Sequence, residues 1–147
     1  MADIEHAIQI DAPPDRILPL VSSADGFTAW WAEDVQTIGG GVELGFFDRS
    51  TMYRLTPQPD DDGARWTCET GAEWAGTSLV FRLRPQGRQT RLEFAHQGWA
   101  DRTPYFVSCN TTWGHLMFRV KDAAEQPGVR RPYFTRSGTA GSSAGAY

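Results

Sequence analysis

The sequence predicts an α+β domain: one curved antiparallel sheet wrapped around a long C-terminal helix, with two short helices after the first strand. Three observations predict it. Short apolar runs alternate with period two on either side of a brief helical stretch, and hairpin-length turns separate those that follow it. From Phe106 onward the apolar spacing changes to three and four. A sheet with one apolar face and a helix with one apolar stripe must cover each other. A chain of 147 residues is long enough for this, burying roughly 70% of the surface its unfolded form exposes.

The first strand is Ile4 to Ile10, where Ile4, His6, Ile8 and Ile10 alternate against Glu5, Ala7 and Gln9. Asp11-Ala12-Pro13-Pro14 breaks it. Pro14 suits the first helical position, because its missing N–H would be unpaired there anyway. Ile17, Leu18 and Val21 carry a short helix, distorted where Pro19 removes an intrahelical hydrogen bond. Ser22-Ser23-Ala24-Asp25 caps a second short helix ending near Trp30-Trp31.

Strands begin after Glu33. Gly39-Gly40-Gly41 is a turn, Val42, Leu44 and Phe46 alternate, and Asp48-Arg49-Ser50 turns the chain into a strand from Met52 to Thr56. Pro57 to Gly63 reads as a solvated loop. Strands from Ala64 to Thr70, Thr77 to Leu83 and Thr90 to His96 complete a meander of about six or seven strands, with a turn at Pro85-Gln86-Gly87. Thr103 is an N-cap and Pro104 the first residue of a helix running to Ala124, about 30 Å long. Phe106, Cys109, Trp113, Leu116, Met117 and Val120 form its apolar stripe, and Ser108, Thr112, His115 and Arg119 a polar one. Pro127-Gly128 ends it. Residues 1–126 are expected to be a single domain, and residues 127–147 a flexible, Gly/Ala/Ser-rich tail.

Composition narrows the function. A net charge of −4 argues against nucleic acid and anionic membranes as partners, and no apolar run approaches the ~18 residues of a membrane span. Cys68 and Cys109 are far apart and form no CxxC pair, so no metal site is expected. No GxGxxG, P-loop, HExxH or GxSxG motif is present, and no cofactor is expected. The N-terminus lacks a basic segment followed by an apolar run, which makes the expected location cytoplasmic, with both thiols reduced and inert.

Several segments, in this order, carry a family resemblance: Ala12-Pro13-Pro14-Asp15-Arg16, Ser23-Ala24-Asp25-Gly26-Phe27, Ala29-Trp30-Trp31, Glu73-Trp74-x-Gly76-Thr77, His96-x-Gly98-Trp99 and Trp113-Gly114-x-Leu116. Together with the element order, residues 4 to 125 resemble the START-like, or SRPBCC, superfamily of helix-grip folds, and within it the subfamily named after the activator of the Hsp90 ATPase. Pro19 inside the first helix departs from the pattern. The resemblance implies a helix-grip fold and often a small apolar ligand. It does not set an activity, because such families hold ligand carriers, cyclases and co-chaperone domains.

The candidate ligand-binding residues are Trp30, Trp31, Trp66, Phe81, Phe94, His96, Trp99, Phe106, Cys109 and Trp113. Aromatic walls with a few polar groups suit a flat or lipid-like molecule. For Phe81 and Phe94 a packed core is the stronger reading. For Trp30, Trp31 and Trp99 a pocket mouth with free indole N–H donors stands equally well. His96 extends the inward Leu92-Phe94 face, where it is either a hydrogen-bonding or proton-transferring group or a structural histidine. His6 and His115 are given no role. Arg65 and Arg82 fall on the solvent side by parity, and Arg54 is ambiguous. The expected function is binding of a small hydrophobic molecule between sheet and helix. A polyketide cyclase or dehydratase using His96, and an Hsp90-activator-like interaction domain, are the alternatives. A homodimer is left open.

Overall fold

A computed structural model of the chain describes residues 1–138. Strand β1 (Ala2–Ile10) leads into α1 (Pro14–Val21) and α2 (Ala24–Phe27). Six strands follow: β2 (Asp34–Ile38), β3 (Gly41–Phe46), β4 (Thr51–Gln58), β5 (Gly63–Cys68), β6 (Ser78–Gln86) and β7 (Gln89–Trp99). Helix α3 (Pro104–Glu125) comes last. All seven strands form one antiparallel sheet in the order β1-β7-β6-β5-β4-β3-β2. The sheet is curved and unclosed, the helix-grip arrangement the alternation predicts.

The apolar stripe of α3 is buried as its spacing requires, with Trp113 at 1% and Met117 at 2% exposure. Thr103 caps the helix, its Oγ1 accepting from the Phe106 N–H at 3.2 Å. The α2 cap is Ser23, whose hydroxyl accepts from the Gly26 N–H. Gly26 also sets how the two short helices dock: a Cβ there would lie 2.0 Å from the Pro19 carbonyl oxygen, so only glycine lets α2 rest on the end of α1. Among the described residues, no helix is long and apolar enough to cross a membrane.

Several boundaries differ from expectation. Pro57 lies inside β4 and pairs with Trp66. It is tolerated there because β3 pairs with β4 only from Thr51 to Leu55, so beyond that point one side of β4 needs no N–H donor. Pro85 similarly lies in β6, opposite Thr90, and the turn narrows to Gly87 and Arg88. β5 ends at Cys68, before Thr70. His6 was not counted among inward histidines, yet its Nε2–H donates to the Asn110 carbonyl of α3 at 3.1 Å.

Part of the segment after α3 packs on the core. The Tyr133 and Phe134 N–H groups donate to the carbonyls of Trp30 and Trp31, the Glu33 N–H donates to the Phe134 carbonyl, and Phe134 is 2% exposed. Two adjacent aromatic residues bury enough area to hold this segment against the core. The rest of the expected tail, residues 139–147, lies outside the described residues.

Candidate functional site

All ten residues that the sequence singles out for ligand contact are buried, none more than 3% exposed. Their rings touch one another. Trp30 stacks on Trp31 at 5.6 Å, Trp31 tilts against Trp113 at 5.0 Å, Phe94 lies 4.3 Å from Trp113, and Trp99 meets Phe106 edge-on at 5.2 Å. Along this line the space between sheet and helix is occupied by the rings themselves. Two of the indoles serve α1: Trp30 donates to the Leu20 carbonyl at 2.8 Å and Trp66 to the Val21 carbonyl at 2.9 Å. Those are terminal helix carbonyls with no intrahelical donor, so the tryptophans cap α1 from the core side. Cys68 and Cys109 are buried thiols, and burial pushes Cys68 up to about 12, well away from a reactive thiolate.

His96 sits inside a closed hydrogen-bond chain. The Trp113 Nε1–H donates to His96 Nδ1 at 3.2 Å, and an indole nitrogen can only donate. The proton of the neutral ring is therefore on Nε2, which donates to Thr77 Oγ1 at 2.8 Å. Thr77 in turn donates to the Trp74 carbonyl at 2.6 Å. Both ring nitrogens are used, the ring is fully buried, and desolvation lowers its pKa to about 3. This geometry is that of a structural histidine.

A cleft of about 320 Å³ opens beside this core, between the β3–β4 end of the sheet, the β5–β6 connection and the first turn of α3. Phe46, Phe47, Thr51, Tyr53, Ala72, Glu73 and Tyr105 line it. The Tyr53 and Tyr105 hydroxyls share a hydrogen bond at 2.5 Å. Burial raises the Tyr53 phenol above its ordinary value, which keeps it a neutral donor and acceptor. The Thr103 hydroxyl donates to the Glu73 carboxylate, tying the β5–β6 connection to the N-cap of α3. Behind the phenols lie two more tryptophans. Tyr53 stacks on Trp74 at 4.2 Å and 14°, and Tyr105 lies 5.9 Å from Trp99. The indole nitrogens of Trp74 and Trp99 are buried with no hydrogen-bond partner among the described residues. Such a group costs about 1–3 kcal/mol.

One wall of the cleft is strained. Phe47, Asp48 and Arg49 are consecutive residues with φ of 53°, 56° and 65°. A left-handed run of this kind costs roughly 1–2 kcal/mol per residue. It is held from several sides. Arg49 donates to both oxygens of the buried Asp34 at 2.8 and 3.0 Å and to Glu43 at 2.7 Å, and the Asp48 N–H donates to the Arg136 carbonyl. Phe134 packs edge-on against Phe46 at 4.9 Å and Phe47 at 6.2 Å. Strain kept in place by over-determined contacts, at the wall of a cleft, is a mark of functional sites.

The cleft thus differs from the set that sequence reasoning assembled. In the sequence, Trp74 stands out only as part of a resembling motif, and Glu73 beside it reads as a surface carboxylate. Tyr53 and Tyr105 lacked any sequence signal for pairing, being 52 residues apart. Phe46 shows in the sequence only as one position of an alternating strand, and Phe134 falls in the expected tail, although the Tyr133-Phe134 pair in an otherwise polar stretch is a signal for burial. Arg54, ambiguous by parity, pairs with Glu43 at 3.0 Å and is exposed.

An antiparallel sheet gripping one long helix, with a cleft at its mouth, defines the START-like, or SRPBCC, fold, and known proteins agree. The solution structure of the Aha1 dimer from Colwellia psychrerythraea superposes with a TM-score of 0.73 at 27% identity, over 87% of this chain and 99% of that one. A START superfamily protein from Mycobacterium smegmatis superposes with a TM-score of 0.66 at 14% identity, over 84% of this chain and 97% of that one. DynU16, a protein in the dynemicin biosynthetic locus, gives 0.69 at 16% identity, over 91% of this chain and 51% of that one. The chain has the START-like fold with Aha1-like relatives. No family model matches the sequence, and no curated protein matches it.

Proposed function

We propose that the protein binds a small hydrophobic or aromatic molecule in the cleft bounded by Phe46, Phe47, Tyr53 and Tyr105. The observation that carries this reading is the cleft itself: four aromatic side chains around about 320 Å³, two of them phenols joined by a hydrogen bond, with Thr51 and Glu73 also in the lining. Small-molecule sites have this make-up, mostly apolar with a few placed polar groups. The site expected from sequence lay deeper, among the packed rings, and the reading moves it to the mouth of the grip. His96 does not border this cleft and both its nitrogens are engaged, so the geometry favours binding over proton transfer by that residue.

Titration with tetralin, a bicyclic hydrocarbon, tests the proposal. Tetralin is expected to quench tryptophan fluorescence and to raise the melting temperature, by mass action amounting to about 2.7 kcal/mol at a hundred times the dissociation constant. Thr51→Trp, which fills the cleft from its half-buried rim, is expected to abolish both effects while leaving the fold intact. Absence of both effects in the wild type overturns the reading. For assembly, the dimeric state of the similar Colwellia protein supports a homodimer, which sedimentation of the purified chain would test directly.

A further inference from the structure

We propose that the Tyr53–Tyr105 pair is a gate, and that the molecule this cleft accepts is an uncharged aromatic compound bearing a carbonyl or similar acceptor oxygen, received by the indole N–H groups of Trp74 and Trp99. The proposal rests on the small-molecule reading above and deepens it. Trp74 and Trp99 are each 1% exposed, and neither indole nitrogen has a partner among the described residues. An indole N–H can only donate, so each calls for an acceptor. Elsewhere in the same core, Trp30, Trp66 and Trp113 all donate to named acceptors. Among the described residues, the two indole nitrogens that are fully buried without an acceptor are those packed against the phenols of the cleft.

The arrangement behind those phenols is layered. Tyr53 covers the face of Trp74, Tyr105 lies against Trp99, and the two hydroxyls bond to each other rather than to the indoles. Both indole rings also lie against His96, at 4.7 and 4.8 Å between ring centres. His96 offers them nothing, because its acceptor nitrogen is taken by Trp113. Parting the two phenols joins the cleft to the indoles behind them and brings two donors within reach of an entering acceptor. Glu73 at the cleft wall disfavours a carboxylate or phosphate, which makes the acceptor an uncharged one.

The test uses the full chain labelled with nitrogen-15, with α-tetralone and tetralin as probes that share a ring system and differ in one carbonyl. α-Tetralone is expected to bind about 10-fold more tightly than tetralin, the worth of a newly satisfied buried donor. It is also expected to move the indole N–H resonances of Trp74 and Trp99 downfield and leave that of Trp113 in place. Trp74→Phe and Trp99→Phe keep an aromatic ring without the donor, and are expected to erode the preference for the ketone. Equal affinity for the two probes with unmoved indole resonances overturns the gate while leaving the small-molecule reading intact. Failure of both probes to bind overturns both. If the variants do not fold, the wild-type resonances decide.

Discussion

His96 is neutral because burial strips water from its charged form and no carboxylate stands near enough to restore it; desolvation alone lowers its pKa to about 3. That makes it a source of acid sensitivity. The unfolded chain protonates this histidine near its ordinary 6.5, and the folded chain does so only near 3. The unfolded state therefore binds more protons in this window. The stability His96 provides is complete above about pH 6.5 and is lost as pH falls toward 3, at about 1.4 kcal/mol per pH unit. Between pH 6.5 and 5, above the carboxylate range, the wild type is expected to lose about 2 kcal/mol in urea unfolding from this residue. His96→Gln can still accept from Trp113 and donate to Thr77 but takes up no proton. Its stability is expected to fall less over the same interval, keeping the contribution of His115, whose pKa is also lowered by partial burial and by Arg119. An identical pH profile for both proteins would remove the histidine as the cause.

The elements owe their positions to a few polar ties at their ends. Thr103 both caps α3 and donates to Glu73, so one hydroxyl joins the helix start to the β5–β6 connection. Thr103→Ala removes the cap and is expected to cost about 1 kcal/mol, read as a lower denaturation midpoint. It also releases Glu73 from the wall of the cleft. Thr103→Ser, which keeps the hydroxyl, is expected to recover most of the loss. Serine failing to do so would show that the methyl group, not the capping oxygen, matters. α1 is finished from both sides: the Ser22 and Ser23 hydroxyls donate to the Leu18 and Pro19 carbonyls, and the Trp30 and Trp66 indoles donate to those of Leu20 and Val21 from the core.

For the whole molecule, the segment after α3 is part of the fold. Phe134 packs against Phe46 and Phe47, Arg136 reaches the strained turn through its carbonyl, and Ala32 forms a parallel bridge with Phe134. Phe134→Ala is expected to destabilise the protein by about 3–5 kcal/mol, since surrounding rings collapse only partly into the space left. It is also expected to loosen the wall that Phe47 presents to the cleft. Equilibrium urea unfolding measures the first effect, and a change within about 0.5 kcal/mol would mean that the segment contributes little to the core. Composition describes the average of a segment, whereas the packing of this one is set by the aromatic residues within it.

Local rules carried most of the fold. Period-two alternation located the strands, the three-and-four spacing with Thr103 and Pro104 located α3, and a sheet and a helix with one apolar face each had to meet. The same rules placed His96, Trp113 and the other core aromatics inward. What they could not decide was whether inward rings line a space or fill one. That depends on ring-to-ring distances set by strand curvature and helix height, quantities on which parity is silent. Tyr53 and Tyr105 meet only because β4 and the first turn of α3 converge at one end of the grip. Trp74 and Trp99 keep unpartnered donors among the described residues, and the acceptor nitrogen of His96, whose ring lies against both, is already taken by Trp113. Each strand and helix was a local property of the chain; the cleft is a property of the distances between them.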